Sequence, residues 1–339
     1  MISKHTVFRT SIVVLVCTAS IVFVSPFLNV NGLIYPTRID STYFSQQENL
    51  YEKYVLEGGI DSGRIFIYNP GEIGIRYHEA QVQVEEGIFL KSWIAGDTIQ
   101  DPTASLIMIP DISESRIHYL KDIKEFVDRG YRVCVVELRG QGSSDGSVYS
   151  IGHEAANDIS LLIDQLEIDE GFRDIAIMGN RTGAAVAMQV TLDDPRIEVL
   201  VAKNPFISFG SYFSDYAQNY WGPWVLPLCR IIKRDAERTI GFHPDSLDLS
   251  LLTHFIEKPS LYVAANFYTE NVAREALHLY RASEVSKKKL IIDRSSVFTE
   301  NGFSNSKQYY DRISAFIASS LPPTEKRSRF RKLVLRTGR

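Results

Sequence analysis

From residue 105 onward, apolar runs of strand length alternate with helical patterns, and this alternation constrains the fold more than any other feature of the chain. Strands are predicted over 105–109, 132–137, 174–178 and 199–202, with helices over 119–129, 154–166 and 184–192 between them. Two further strands, 260–264 and 289–292, flank a helix over 271–280, and a last helix covers 307–319. Strand, helix and strand repeated in this way bury both faces of a parallel sheet. Upstream, the alternating Ala80-Gln81-Val82-Gln83-Val84, the turn Glu86-Gly87 and the run from Phe89 to Ile94 predict an antiparallel hairpin. The predicted class is therefore α/β, a mostly parallel sheet with an N-terminal antiparallel hairpin and an insertion after the sixth strand.

That insertion is marked by a change of rhythm after Pro205-Phe206. Phe209, Tyr212, Phe213, Tyr216, Tyr220, Trp221 and Trp224 crowd one stretch, and 209–257 reads as a cap or lid. Its aromatics either pack the insertion onto the core or line a pocket. The core then comprises 68–208 and 258–321, preceded by a lead-in segment over 33–67. The 339 residues, 45% hydrophobic and 23% charged, suffice for one large domain with such an insertion.

The two ends differ from the middle. Lys4 and Arg9 precede an apolar run from Ile12 to Val24, broken by Pro26, Asn29 and Asn31, so 1–32 reads as a signal peptide or signal anchor. This predicts attachment to a membrane with the domain outside the cytoplasm, or secretion. The segment 322–339 is a basic tail: residues 324–339 hold seven Lys/Arg against one Glu, leaving about minus 10 on the rest of a chain whose net charge is minus 4. Of three cysteines, Cys17 lies in the apolar run, and Cys134 and Cys229 fall in core-like stretches, which excludes a disulfide framework or a C-x-x-C metal site. No metal and no cofactor is expected, and the short Gly140–Gly142 motif lacks the third glycine of a dinucleotide fingerprint.

Between the strand at 174–178 and the helix at 184–192 stand Gly179-Asn180-Arg181-Thr182-Gly183, which read G-x-R-x-G. In a G-x-S-x-G elbow the glycines permit a strained strand-to-helix turn that lifts a serine oxygen toward an acyl carbon. Arginine stays protonated and cannot attack.

Three stretches carry a resemblance that covers roughly 68–321. Glu137-Leu138-Arg139-Gly140-Gln141-Gly142-Ser143-Ser144-Asp145-Gly146 resembles a D-x-R-G-x-G-x-S-x-G turn, and 179–187 resembles G-x-S-x-G-G-A-x-A. Gly74-Ile75-Arg76-Tyr77, then Glu86-Gly87 and Leu90-Lys91-Ser92-Trp93, resemble a lead-in strand pair. In this order and spacing they are similar to the α/β-hydrolase superfamily, in particular its serine-aminopeptidase-like and Bem46-like hydrolases. The resemblance implies a serine at the elbow, an acid after the seventh strand, a histidine after the eighth and an oxyanion hole after the third. This chain departs from it at every place. The elbow carries Arg181, the acid position falls on Tyr268 with Glu270 two residues late, and Val297 stands where the histidine is due. The oxyanion-loop position holds Asp111 and Ile112, and no histidine follows His278.

The leading expectation is a catalytically inactive member that binds a ligand or partner. The candidate binding residues are Arg181, Asp111, Thr182 and Tyr268, and the ligand would be an anionic small molecule or a lipid headgroup; nucleic acid is not expected. Arg181 either presents its charge to that ligand or pairs with Asp111 and plugs the site. Two alternatives stay open. One is an active esterase, lipase or peptidase with a rewired nucleophile, Thr182 or Ser113, drawing on His153, His243 or His254. The other is a surface scaffold that recruits a protein partner through the basic tail. His5, His78, His118 and His278 read as solvated or structural.

Overall fold

The computed structural model describes residues 69–149, 151–240, 243–265, 270–293, 297–299, 302–304 and 307–322. The N-terminal apolar run, the lead-in segment, Tyr268 and the basic tail beyond Pro322 lie outside the described residues. Among those described, no helix is long and apolar enough to cross a membrane.

The hairpin of β1 (Tyr77–Glu85) and β2 (Ile88–Ala95) leads into β3 (Ser105–Ile109), α1 (Leu120–Asp128), β4 (Arg132–Glu137), α2 (His153–Asp169), β5 (Ile175–Asn180), α3 (Thr182–Asp193) and β6 (Ile197–Lys203). Three helices follow, α4 (Phe209–Trp221), α5 (Cys229–Ile240) and α6 (Leu249–Phe255). Then come β7 (Ser260–Ala265), α7 (Glu270–Ala282), β8 (Lys288–Asp293), a short hairpin of β9 (Val297–Thr299) and β10 (Gly302–Ser304), and α8 (Lys307–Ser320).

The eight-stranded sheet has the order β1-β2-β4-β3-β5-β6-β7-β8, antiparallel at β1/β2 and β2/β4 and parallel from there on. Alternation along each strand divides the apolar side chains between two layers. Ile107, Cys134, Val136, Ile177 and Leu200 face α2, α3 and the insertion. Leu106, Met108, Val133, Val135, Met178 and Val201 face α1 and α8. Burial pushes the Cys134 thiol up to about 12, so it behaves as a core residue.

Chain order reverses around β3, whose neighbours are β4 on one side and β5 on the other. Such a switch point opens a crevice at the carboxyl ends of the strands. Ile109 pairs in register with Gly179, which brings the Pro110–Asp111 loop beside the Asn180–Arg181 turn.

The insertion is built onto the sheet's core. Phe209, Tyr212, Phe213 and Ala217 of α4 join the α2/α3 layer, and the Phe206 and Tyr212 rings stack 4.9 Å apart. The helix α6 packs on α3 and α7. Of the two roles open to the aromatics of the insertion, Phe209, Tyr212 and Phe213 take packing.

No element is predicted between the strand at 289–292 and the helix at 307–319, whereas the chain there forms the β9–β10 hairpin, with Val297 paired to Ser304. Val297-Phe298-Thr299 combines β-branched and aromatic residues, which favour extended pairing.

Candidate functional site

The elbow is formed despite its arginine. Arg181 caps α3 with φ 50° and ψ −106°, one of three non-glycine residues with positive φ among those described. The other two, Asp174 and Asn204, are types that tolerate this region. Arginine does not, so the turn is imposed by its surroundings at a cost of about 1–3 kcal/mol. Gly179 and Gly183 permit it, since a Cβ on Gly179 would overlap the Gly183 carbonyl and one on Gly183 would overlap the Ile109 carbonyl. Asn180 anchors the turn from below: its amide donates to both Glu114 carboxylate oxygens at 2.9 and 3.0 Å and its carbonyl accepts from Asn204 at 3.1 Å.

In an elbow of this kind the oxyanion hole consists of the N–H after the nucleophile and an N–H of the β3 loop. Here these are the N–H groups of Thr182 and Ile112, and both are already satisfied. Thr182 N–H donates to Asp111 Oδ1 at 3.1 Å, and Ile112 N–H donates to Thr182 Oγ1 at 2.8 Å. The Thr182 hydroxyl gives its one proton to Asp111 Oδ1 at 2.7 Å. Tyr149, whose phenol burial holds well above its usual pKa, must therefore be the donor in its 3.1 Å bond to Thr182 Oγ1. Asp111 Oδ2 accepts from Ser113 Oγ at 2.7 Å. A buried carboxylate thus sits where the negative oxygen of a tetrahedral intermediate would develop.

The loop that aims Asp111 is braced twice. Its N–H donates to Glu114 Oε2 at 3.0 Å, and its carbonyl accepts from Gln141 Nε2 at 2.6 Å. Gln141 belongs to the Arg-Gly-Gln-Gly turn after β4, so that motif acts here as a prop for the oxyanion loop. Burial opposes the charge on Glu114, but Lys203, His118 and the Asn180 amide hold its carboxyl below the ordinary value.

Arg181 and Asp111 do not form the two-pronged clasp that would make a plug of the pair. They meet through one contact, Nε to Oδ2 at 3.9 Å, because Asp111 is turned toward Thr182 and Ser113. The guanidinium lies over the Tyr212 ring at 5.0 Å, its side chain is 27% exposed, and Nε has no hydrogen-bond acceptor among the described residues. Burial works against its charge, yet the Tyr212 hydroxyl and the Asp111 carboxylate raise its pKa. With the Thr182 N–H engaged, the start of α3 no longer offers that donor to an anionic ligand.

Neither rewired nucleophile meets a base of the usual kind. Thr182 Oγ1 could pass a proton to Asp111, but the residue is 1% exposed and its oxygen already accepts two hydrogen bonds. Ser113 is exposed, and its hydroxyl bonds only to Asp111 among the described residues. Of the described histidines, His118 accepts from the Ser115 N–H and lies beside Glu114, whereas His78 bonds to Glu170, His243 to the Asp245 N–H, His254 to the Ser250 carbonyl and His278 to Ser250 Oγ. His153 opens α2, 3.9 Å from Asp193. Among the described residues no group of His, Cys, Asp or Glu could hold a metal ion. Tyr268 lies outside the described residues, and Val297 opens β9.

Glu114, Gln141, Tyr149 and Asn180 escape a reading of the triad positions. Their signal in the sequence is proximity to the motifs: Glu114 three residues after Asp111, Gln141 inside the glycine turn, Asn180 inside the elbow.

Glu275 of α7 accepts from the Ile207 N–H at 3.4 Å. Burial pushes its carboxyl up to about 7, assisted by Asp215 and opposed by the Ile207 N–H and by Arg181. Its pKa is raised on folding above the ordinary 4.5, so the stability it contributes is complete below that pH and is lost as pH climbs through 7. Glu275→Gln should flatten this dependence and leave the variant more stable by about 1–2 kcal/mol at alkaline pH, as read by urea titration across the range. Parallel pH profiles for the two proteins would refute it.

The comparisons with known proteins agree with this architecture. The model of the serine aminopeptidase family, S33, matches residues 100–284, more than half of the chain. Among solved structures, the Pyrococcus furiosus esterase Pf2001 is 19% identical over 76% of this chain and 96% of its own, with a TM-score of 0.60. DcsB, solved with its substrate analogue, is 14% identical over 73% of this chain and 100% of its own, with a TM-score of 0.55. The α/β hydrolase GrgF from Penicillium sp. sh18 is 16% identical over 73% and 99%, with a TM-score of 0.52. At these identities the structural likeness is one of fold. No curated protein sequence matches the chain. With the family model spanning the sheet from β3 through α7 and the elbow formed at its switch point, the chain belongs to the serine aminopeptidase S33 family of α/β hydrolases.

Proposed function

We propose that this chain is a non-hydrolytic member of its family and acts by binding. The observation that carries the reading is the Asp111 carboxylate on the Thr182 N–H at 3.1 Å, with the Ile112 N–H turned onto Thr182 Oγ1. Oxyanion stabilisation depends on donors left free for charge that develops in the transition state, and a fixed carboxylate removes that advantage and adds repulsion. At the elbow tip the same logic applies, because a guanidinium neither attacks an acyl carbon nor accepts a proton. The elbow and its props persist in this reading because they hold β3, β5 and α3 together.

Fluorophosphonate labelling and turnover of short-chain p-nitrophenyl esters test it. The expected result is no labelled protein and turnover equal to that of Thr182→Ala. Turnover that survives Arg181→Ala and disappears with Thr182→Ala would replace this reading with that of a rewired hydrolase.

A further inference from the structure

The outer face of the insertion carries large apolar side chains in solvent beside a row of cations. Trp224 and Leu226, each 42% exposed, project from the two-turn 3-10 helix Pro223–Leu228, and Ile231, 57% exposed, stands in the first turn of α5, which follows without a break. The inner stripe of α5, Cys229, Ile232 and Ala236, is buried in the core, so the orientation of the helix is fixed. Its outer side carries Arg230, Arg234 and Arg238, all exposed and spaced by four, which places them in one line along the helix. Lys233 is tied to Asp245 at 2.8 Å, whereas Arg230 and Arg234 pair with no carboxylate among the described residues.

Single exposed apolar residues are ordinary on a protein surface. The combination here has a narrower chemistry. Tryptophan settles at the headgroup level of a bilayer, leucine and isoleucine just below it, and arginine meets lipid phosphates with bidentate hydrogen bonds. We propose that this face docks on an anionic phospholipid bilayer, with Trp224, Leu226 and Ile231 entering the headgroup layer and Arg230 and Arg234 meeting its phosphates. A protein partner with an apolar groove would use the first three residues but would not require the arginines. The proposal is independent of what the elbow does.

The full chain, mixed with phosphatidylcholine vesicles with or without phosphatidylserine and containing brominated lipid, provides the test. Bromine quenches nearby tryptophan, and the difference between the wild type and Trp224→Phe isolates Trp224 from Trp93 and Trp221. Trp224 should be quenched on the anionic vesicles and spared on the neutral ones. Arg230→Gln/Arg234→Gln should weaken this docking by about 25-fold, at roughly fivefold for each charge near an anionic surface. Both substitutions lie on the exposed face and leave the buried stripe intact. Three results would overturn the proposal: an unquenched Trp224 on anionic vesicles, including vesicles that capture the chain by its N-terminal segment alone; equal quenching on neutral vesicles; or quenching indifferent to loss of the two arginines.

Discussion

Arg139→Ala is expected to cost about 3–5 kcal/mol of stability, the penalty for leaving a buried charge without its partner. Arg139 belongs to the glycine turn after β4, and its guanidinium grips Asp158 of α2 through two hydrogen bonds, Nε to Oδ2 at 2.6 Å and Nη2 to Oδ1 at 2.8 Å. Its remaining nitrogen reaches Glu85 at 2.6 Å and Glu154 at 3.1 Å. Asp158 is wholly buried, and burial raises its pKa even with the arginine present. Truncating Arg139 therefore strands a carboxylate between β4 and α2. Urea denaturation reads the loss, and Arg139→Met/Asp158→Leu should recover most of it, since a well-packed apolar pair avoids desolvation altogether. A loss under about 1 kcal/mol for Arg139→Ala would show that solvent reaches Asp158 and that the turn is not anchored in this way.

A comparable loss, about 3 kcal/mol or more, is expected for Gly183→Ala. The added Cβ would press into the carbonyls of Ile109 and Pro110, and both obstacles are backbone. They cannot rotate aside as a side chain would, so β3 and α3 would have to separate. That separation would also break the bonds from Thr182 to Asp111 and from Ile112 to Thr182, which cross the same gap. Ala184→Gly, one residue further along the helix, supplies the contrast: it creates no overlap, and the loss of helix propensity together with one buried methyl should cost about 1–2 kcal/mol. If Gly183→Ala were as mild as that control, the close approach of elbow and oxyanion loop would be refuted.

The fold was legible because its signals are local and repeated. The bounds of β3 and β4 follow directly from apolar runs at 105–109 and 132–137, and the neighbouring helices differ by a few residues at their ends. Legibility weakened where tertiary context decides. The β9–β10 hairpin is only three residues on each side, too short to stand out from a loop in a periodicity reading. At the site, the absence of serine and histidine from their expected positions was visible in the letters, because the spacing of G-x-R-x-G and the end of β8 fixes where to look. What replaces them was not visible. Asp111 and Arg181 carry opposite charges on adjoining loops, which suggests mutual pairing, but Thr182 offers Asp111 both an N–H and a hydroxyl at shorter range. Side-chain competition of this kind depends on sub-ångström placement that spacing does not encode. Tyr212 reaches Arg181 from an inserted helix roughly thirty residues away in sequence, and only folding brings the two together.

The central claim, that the oxyanion hole is filled from within, is tested most directly at the Thr182 amide. In the nitrogen-15-labelled chain its proton should resonate far downfield at neutral pH, as expected of an N–H donating to a carboxylate. It should move upfield in Asp111→Ala. A Thr182 amide proton at an ordinary position that ignores the loss of Asp111 would show an open hole, and the account would be wrong.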